Sequence, residues 1–351
     1  MRDVGDVTPK AVGIRDVARE AGVSVTTVSH ILNDVESARA SDETRERVRA
    51  TAARLGYGAN RIARSLRRQR TEMIGLISEE IATTPHAGRI ILGAQEAAQA
   101  HGLTLVVINT MRDSGDLGAP IRTLMDNQVD GILFATMFHR EVSLPESLHA
   151  VPSVLIDARD TEGRIPSAVP DELGGARAAV SELVRAGHRR IGFLTNRDDV
   201  PATRLRLQAY REVLAEAGLE VDESLIVEEV SESPGGYRAG TRLLSRPDRP
   251  TALFCYNDRM AMGAYRAAAE LHLEIPRDLS VVGFDNQEII AEGLHPPLTT
   301  VALPHYEMGA WAVDTLVRLI GGSGEELLLA SHPVLLPCPL VPRDSVQAPA
   351  L

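Results

Sequence analysis

The sequence is poor in cysteine, aromatic rings, lysine and long apolar runs, and each shortage removes a class of protein. Its two cysteines in 351 residues, Cys255 and Cys338, lack metal-ligand spacing. A disulfide scaffold is therefore excluded, and both are expected to be buried packing thiols. Aromatics make up only 3% of the chain, so few rings are available for ligand stacking. No stretch approaches the ~20 apolar residues of a membrane span. The first ten residues carry two acids, two bases and no apolar run, so they do not read as a secretory signal. A cytoplasmic protein is the resulting expectation. Only one of the 37 basic residues is a lysine, Lys10, and no function is assigned to that bias.

What is present is an ordinary globular balance, 44% hydrophobic and 24% charged. At roughly 150 residues per domain, the length suggests two to three domains. The net charge of −11 conceals a division along the chain. To Arg70 there are 14 Lys+Arg against 9 Asp+Glu, and beyond it 23 against 39, giving +5 and −16. A basic head on an acidic body reads as one module that meets nucleic acid and one that does not.

Residues 14–57 carry helix signals only. Ile14, Val17, Ala18 and Ala21 recur at helical spacing. Gly22 stops that helix where a turn needs positive φ, and Ser24 can cap the next, whose apolar face is Val28, Ile31 and Leu32. Ser41 caps a third helix, lined by Val48, Ala52 and Leu55 and closed by Gly56. The three-residue turn Gly22-Val23-Ser24 fits a helix-turn-helix, whose second helix enters the major groove. An ordinary helical hairpin is the alternative on spacing alone.

From Met73 the pattern changes to short β-rich runs alternating with amphipathic helices. Strands are expected over 73–78, 103–109, 131–135, 154–157, 191–195, 252–256 and 281–284, and helices over 88–101, 173–186, 202–217, 258–273 and 308–320. Such runs mean parallel sheets covered on both faces, and their number fits two doubly wound sheets. The tail beyond Ser345 is expected to fray.

In doubly wound folds, ligands sit beyond the carboxyl ends of the strands. Here those ends carry Asn109-Thr110, Asp157, Thr195-Asn196, Asn257-Asp258 and Asp285-Asn286. Amides, hydroxyls and carboxylates suit a polyol or sugar. A phosphate site would want a glycine-rich loop or several bases, and no such loop is found. Asp258 reads as the cap of the following helix, and His188 as a structural loop residue.

The run "IRDVAREAGVSVTTVSHILN" (14–33) resembles the DNA-binding motif of the lactose repressor/galactose repressor (LacI/GalR) family of transcription regulators. "SDETRERV", "LGYGANRIARSL", "VDGILF", "GHRRIGFL", "YNDRMAMGA", "SVVGFDN", "PPLTTV" and "LVPRDS" continue the match in order, from about residue 13 to 345. The resemblance implies a lambda-repressor-like helix-turn-helix domain over 1–59, a hinge linker over 60–70, and a periplasmic-binding-protein-like body over 71–345. The first lobe would comprise about 71–168 and 301–328, the second about 169–300 and 329–345, and a tail 346–351. It also implies a cytoplasmic homodimer reading a pseudo-palindromic operator, with no cofactor, metal or membrane.

The same resemblance places Val25 and Thr26 against the bases, with Thr27, Ser29, His30 and Asn33 divided between base edges and phosphates. Methyls can contact thymine, and hydroxyls can bond either base or phosphate. Gly13 departs from the threonine cap common in the family. Within the linker, Ala63, Arg64 and Leu66 become minor-groove residues, Leu66 as the wedge that kinks the duplex. So short a helix is not stable alone in water.

In the body, "ATRLRLQAY" (202–210) matches the effector-site segment, which makes Arg206 an effector ligand. Its fork can hold two oxygens, and a structural ion pair is the alternative. Asn257 and Asp285 fall on ligand positions, joined by Asp157 from the strand-end reading. After "IGLI" (74–77) the family's Asn-Pro-aromatic segment is replaced by 82–86, where His86 remains a candidate. His305 is a further candidate, and Phe138 and Tyr237 weaker ones. The expectation is thus an effector-controlled DNA-binding regulator, most readily a repressor whose effector is a sugar. The competing readings are a solute-binding transport component, which residues 14–66 oppose, and an enzyme using Asp157 and Asp285, for which no nucleophile, metal set or cofactor loop is found.

Overall fold

A computed structural model of the chain describes residues 12–32, 40–57, 70–84, 88–111, 117–323 and 332–349. Two compact units emerge, Met1–Glu72 and Met73–Leu351.

In the first unit, α1 (Ile14–Ala21), α2 (Val25–Leu32) and α3 (Asp42–Leu55) bury Val17, Ala18, Ala21, Val28, Ile31, Val48 and Ala52 in one core. Gly22 adopts φ 67°, the left-handed cap that the turn requires. The Ser24 hydroxyl accepts from the Thr27 amide at 3.0 Å, capping α2. At the start of α1 the missing side-chain cap is compensated from the other direction. The Asp16 carboxylate accepts the Gly13 amide at 3.0 Å, half of a capping box. Arg47 Nε donates to the Ala21 carbonyl at 3.2 Å, satisfying one of the open carbonyls at the end of α1.

The second unit holds two parallel sheets. One has six strands in the order β11-β5-β4-β3-β1-β2: β1 (Met73–Glu79), β2 (Thr104–Thr110), β3 (Gly131–Val142), β4 (Ser153–Asp160), β5 (Ser167–Pro170) and β11 (Val334–Leu336). Alternating side chains fill opposite faces. Leu76, Leu133 and Val154 pack under α4 (Gly88–Ala100) and α12 (His305–Ile320). Ile77, Ile132, Phe134 and Leu155 pack under α5 (Gly118–Asp126). The sequence assigned 329–345 to the second lobe, but β11 pairs with β5 in this first sheet, so that crossing comes after Leu336.

The other sheet has the order β7-β6-β8-β9, from β6 (Ile191–Asn196), β7 (Ile226–Glu229), β8 (Ala252–Cys255) and β9 (Ser280–Val282). It is flanked by α7 (Glu172–Arg185), α8 (Pro201–Glu216), α9 (Ser233–Leu244) and α10 (Asp258–Glu270). Phe193 stacks between Phe254, at 4.7 Å, and Tyr210, at 5.3 Å, measured between ring centroids. A short antiparallel pair, β10 (Thr300–Val301) with β12 (Leu340–Val341), joins two of the segments that connect the lobes.

Each lobe contains one helix pair whose backbones touch at glycine. A Cβ on Gly93 of α4 would stand 2.1 Å from the Tyr306 carbonyl oxygen, and one on Gly309 of α12 equally close to that of Ile90. In the second lobe, Cβ atoms on Gly236 of α9 and Gly263 of α10 would stand 2.1 Å from the carbonyl oxygens of Met260 and Ser233. The tail does not fray at Ser345. That residue is fully buried, and the Gln347 carbonyl lies 2.9 Å from His188 Nε2 and accepts from the Ser280 hydroxyl at 3.1 Å. Cys255 and Cys338 are free and buried.

Candidate functional site

Two surfaces answer to the sequence expectations. The first is α2 of the helical unit. Packing takes Val28 and Ile31 inward and leaves Val25 and Thr26 exposed, Val25 by 41%. Both side chains are thus available at the surface of α2, where a valine or threonine methyl can contact a thymine methyl. The Thr27 hydroxyl is 2.8 Å from that of Ser24, so it takes part in the cap. Ser29 and His30 are half-buried on the same helix. Asn33, Ala63, Arg64, Leu66 and His86 lie outside the described residues.

The second is a buried polar constellation drawn from β4, which runs past the expected end at Asp157 to Asp160, from α7 and α8, and from the segment after β9. Its centre is Arg206 on α8, 3% exposed. Its Nε donates to Glu172 Oε2 at 2.7 Å and its Nη1 to the Tyr256 carbonyl. Its guanidinium carbon sits 3.6 Å from the centroid of the Phe284 ring and 4.4 Å from that of Tyr256. Asp285 Oδ1 is 3.9 Å from Nη1.

Charge in this site is dominated by burial. Glu172, at the start of α7, is 2% exposed, and burial raises its carboxyl above the usual range, opposed by Arg206. Asp157 is 3% exposed and is raised much further, by burial first and then by repulsion from Glu172 and Asp285. Burial works against the charge of Arg206 too, but Glu172, Tyr256 and Asp285 outweigh it and hold the guanidinium ionised. Asp157 and Asp285 both have positive φ, 57° and 103°, conformations sparsely used by residues other than glycine. Gln287 Nε2 donates to Asp285 Oδ2 at 2.9 Å, fixing that carboxylate.

The structure therefore brings Asp157, Arg206 and Asp285 together and adds two groups that sequence reasoning missed. Glu172 is one; it directly follows Pro170-Asp171, one residue before the helix expected over 173–186, and nothing in that setting marks it as buried. His139 is the other. It lies on the part of β3 beyond Ala135, the expected strand end, within the irregularity between Ala135 and Arg140. Its imidazole is lowered to about 4 by burial and by the nearby charges of Arg206, Arg159 and Arg204.

Asn257 has a different part from the one expected. Its Oδ1 accepts from the Met260 amide at 2.9 Å and its Nδ2 donates to the Ser231 carbonyl at 2.9 Å, so Asn257 caps α10. Asp258, expected to be that cap, is instead fully buried, accepting from Gln287 N at 2.7 Å and Thr300 Oγ1 at 2.6 Å. Tyr237 is not a cleft residue: its hydroxyl donates to Glu270 at 2.6 Å on the outer side of α9 and α10. His188 is structural as read, between Thr251 Oγ1 at 2.9 Å and the Gln347 carbonyl. His305 opens α12 and lines a cavity of about 650 Å³, together with Asp285, Gln287, Leu303, Pro304 and Leu336. Asp285 thus belongs to both the buried constellation and this cavity. At its rim Arg89 of the first lobe pairs with Glu288 of the second at 3.0 Å. Among the described residues no helix is long and apolar enough to cross a membrane.

The family model for bacterial regulatory proteins of the lacI family matches residues 13–60, and that for a periplasmic binding protein-like domain matches residues 180–346. The ribose operon repressor of Haemophilus influenzae is 36% identical over 89% of this chain and 93% of its own. The lac repressor dimer bound to operator and the anti-inducer ONPF is 28% identical, with a TM-score of 0.77 over 97% of this chain and 100% of that one. A complex of the transcriptional regulator CelR with cellobiose is 31% identical, with a TM-score of 0.68 over 95% and 100% of the two chains. With a helix-turn-helix unit, a two-lobed parallel-sheet body and relatives matched over nearly their whole length, the chain belongs to the LacI family of DNA-binding transcriptional regulators.

Proposed function

We propose that this protein is a repressor that grips a pseudo-palindromic operator as a homodimer, and that a neutral sugar bound between the lobes sets how tightly it grips. The observation that carries the effector reading is the buried constellation of Asp157, Glu172, Arg206 and Asp285. An anion here would meet an arginine already committed to Glu172 and the Tyr256 carbonyl, while a polyol can donate to and accept from carboxyl groups in either protonation state. The relative named for the ribose operon makes a pentose the first ligand to try.

On the DNA side, residues 1–59 form the reading head and 60–70 the linker, with Val25 and Thr26 against bases, Thr27, Ser29, His30 and Asn33 on base edges or phosphates, and Ala63, Arg64 and Leu66 in the minor groove. Exposed aliphatic residues on the body, Leu92, Val107 and the 82% exposed Ile289, suit burial against a second copy. A sugar that favours one angle between the lobes shifts a two-state equilibrium. A coupling of ~1–3 kcal/mol changes operator affinity ~5–150-fold.

The test has two stages. Selection from a random duplex pool yields the operator, and fluorescence anisotropy then measures affinity with and without D-ribose and other neutral sugars. The expected result is specific, salt-sensitive binding that a sugar changes at least fivefold, the sign separating inducer from corepressor. Failure to enrich any duplex sequence refutes the proposal.

A further inference from the structure

We propose that His139 is an effector-binding residue, its Nδ1 acting with Asp157 Oδ1 to take neighbouring hydroxyls of a neutral polyol. The inference rests on the effector-controlled reading above and assigns a specificity group within it.

Three observations converge. The first is register. Strands β3 and β4 resume pairing at Arg140 opposite Ala158, so His139 and Asp157 each stand one residue ahead of the resumed ladder. The Thr136 hydroxyl lies 2.7 Å from the Asp157 carbonyl and 3.0 Å from that of Phe138, closing the irregularity on which both residues ride. The second is burial without satisfaction. His139 is 8% exposed and Asp157 3%, yet His139 Nδ1 and Asp157 Oδ1 have no hydrogen-bond partner among the described residues. Buried side-chain polar atoms are paired as a rule, and an orphan costs about 1–3 kcal/mol. Thr195 Oγ1, at the end of β6 in the other lobe, is orphaned in the same way. The third is charge. Both residues lie within electrostatic reach of Arg206, whose Nε and Nη1 are already bonded.

The chemistry follows from what each group can offer. A neutral imidazole has one donor and one acceptor. A buried carboxyl that resists ionisation can also donate or accept. A hydroxyl does both, so two adjacent hydroxyls complement the pair with no charge left over. A phosphate in the same place would lose its hydration and meet an Arg206 already committed to Glu172 and the Tyr256 carbonyl.

Isothermal titration of the full-length protein with D-ribose, D-ribose 5-phosphate and a set of neutral pentoses and hexoses tests the assignment. Wild type is expected to bind a neutral sugar at least tenfold more tightly than the phosphate. His139→Phe, which removes the polar atom, should weaken that sugar at least tenfold. His139→Asn, which can restore a polar atom near Nδ1, should recover affinity to within threefold of wild type. In protein carrying ¹⁵N-labelled histidine, the His139 Nδ1 resonance should move on saturation with the sugar, a readout independent of whether a variant folds. Unchanged sugar affinity in His139→Phe, or an unmoved Nδ1 resonance, overturns this inference and leaves the regulator reading intact. Tighter binding of the phosphate overturns it as well. A wild type that binds operator but no neutral sugar overturns both this inference and the sugar reading.

Discussion

Removing Glu172 tests whether Arg206 is held as a structural ion as well as offered to a ligand. The two side chains are 2% and 3% exposed and meet at 2.7 Å. Truncation by Glu172→Ala leaves the guanidinium in the core with the Tyr256 carbonyl and an Asp285 carboxylate 3.9 Å away as its remaining oxygen partners. Breaking a buried pair from one side costs about 3–5 kcal/mol, because the desolvation of the surviving charge is no longer offset. For a unit of this size, each kcal/mol lowers Tm by roughly 2–4 °C, so a fall of about 6–20 °C is expected. Replacing both partners by apolar residues, Glu172→Leu with Arg206→Met, removes the stranded charge and should recover most of that loss. Sugar binding should not recover in the double variant. Urea unfolding of Glu172→Leu, Arg206→Met and their double variant gives the coupling energy, and titration calorimetry gives the binding. A Glu172→Ala protein within 1 kcal/mol of wild type, or strictly additive single and double variants, would refute the account of Arg206 as a paired core residue.

Leu66→Ala should weaken operator binding at least tenfold and reduce the bend of the duplex while sparing sugar affinity; equal gel-shift affinity and bend would remove the wedge. Gly263→Ala places a methyl 2.1 Å from the Ser233 carbonyl oxygen and 2.4 Å from Tyr237 N, both backbone atoms. It should cost about 3 kcal/mol in chemical unfolding despite the helix-propensity gain of ~1 kcal/mol, whereas Gly88→Ala, with nothing within 4 Å, should be neutral or stabilising. Acidification should expose His139. Its folded value near 4 lies below the ordinary 6.5, so the unfolded chain takes up a proton that the folded one refuses. Stability from this group is complete above 6.5 and is lost as pH falls towards 4, by about 3 kcal/mol. Buried Asp157 works in the opposite direction, so the check is the difference in pH profile between wild type and His139→Asn, the wild type falling more steeply.

Local chemistry was the legible part of the sequence. Gly22, Ser24 and the spacing of Val17, Val28 and Val48 are read within a few residues of one another, and the helical unit follows from them. Arg206 and Asp285 were readable from their motifs. Glu172 was not, because it is 34 positions from the arginine it neutralises and no local rule distinguishes a buried first-turn acid from a solvated one. Asn257 and Asp258 are both competent caps and adjacent, and only the depth of Asp258 beneath Thr300 decides between them. The expected strand at 131–135 ended early because Thr136 to His139 break the pattern, and the sheet continues by way of an irregularity instead. Helix α9 was overlooked for a related reason. Three glycines, Gly235, Gly236 and Gly240, weaken its helical pattern, but in the fold Gly236 and Gly240 admit α10 and Gly235 admits the Val230 backbone.

The glycine contacts also constrain where ligand energy can go. With main chain pressed on main chain at Gly93 and Gly309 in one lobe and at Gly236 and Gly263 in the other, neither half has slack to absorb a bound molecule by deforming internally. A shift of one lobe against the other is expected to appear as torsion in the connectors after Pro170, Val301 and Leu336. A gatekeeping signal would then travel as a swivel of two stiff plates, and stiffening those three connectors with proline would mute it without touching a single sugar contact.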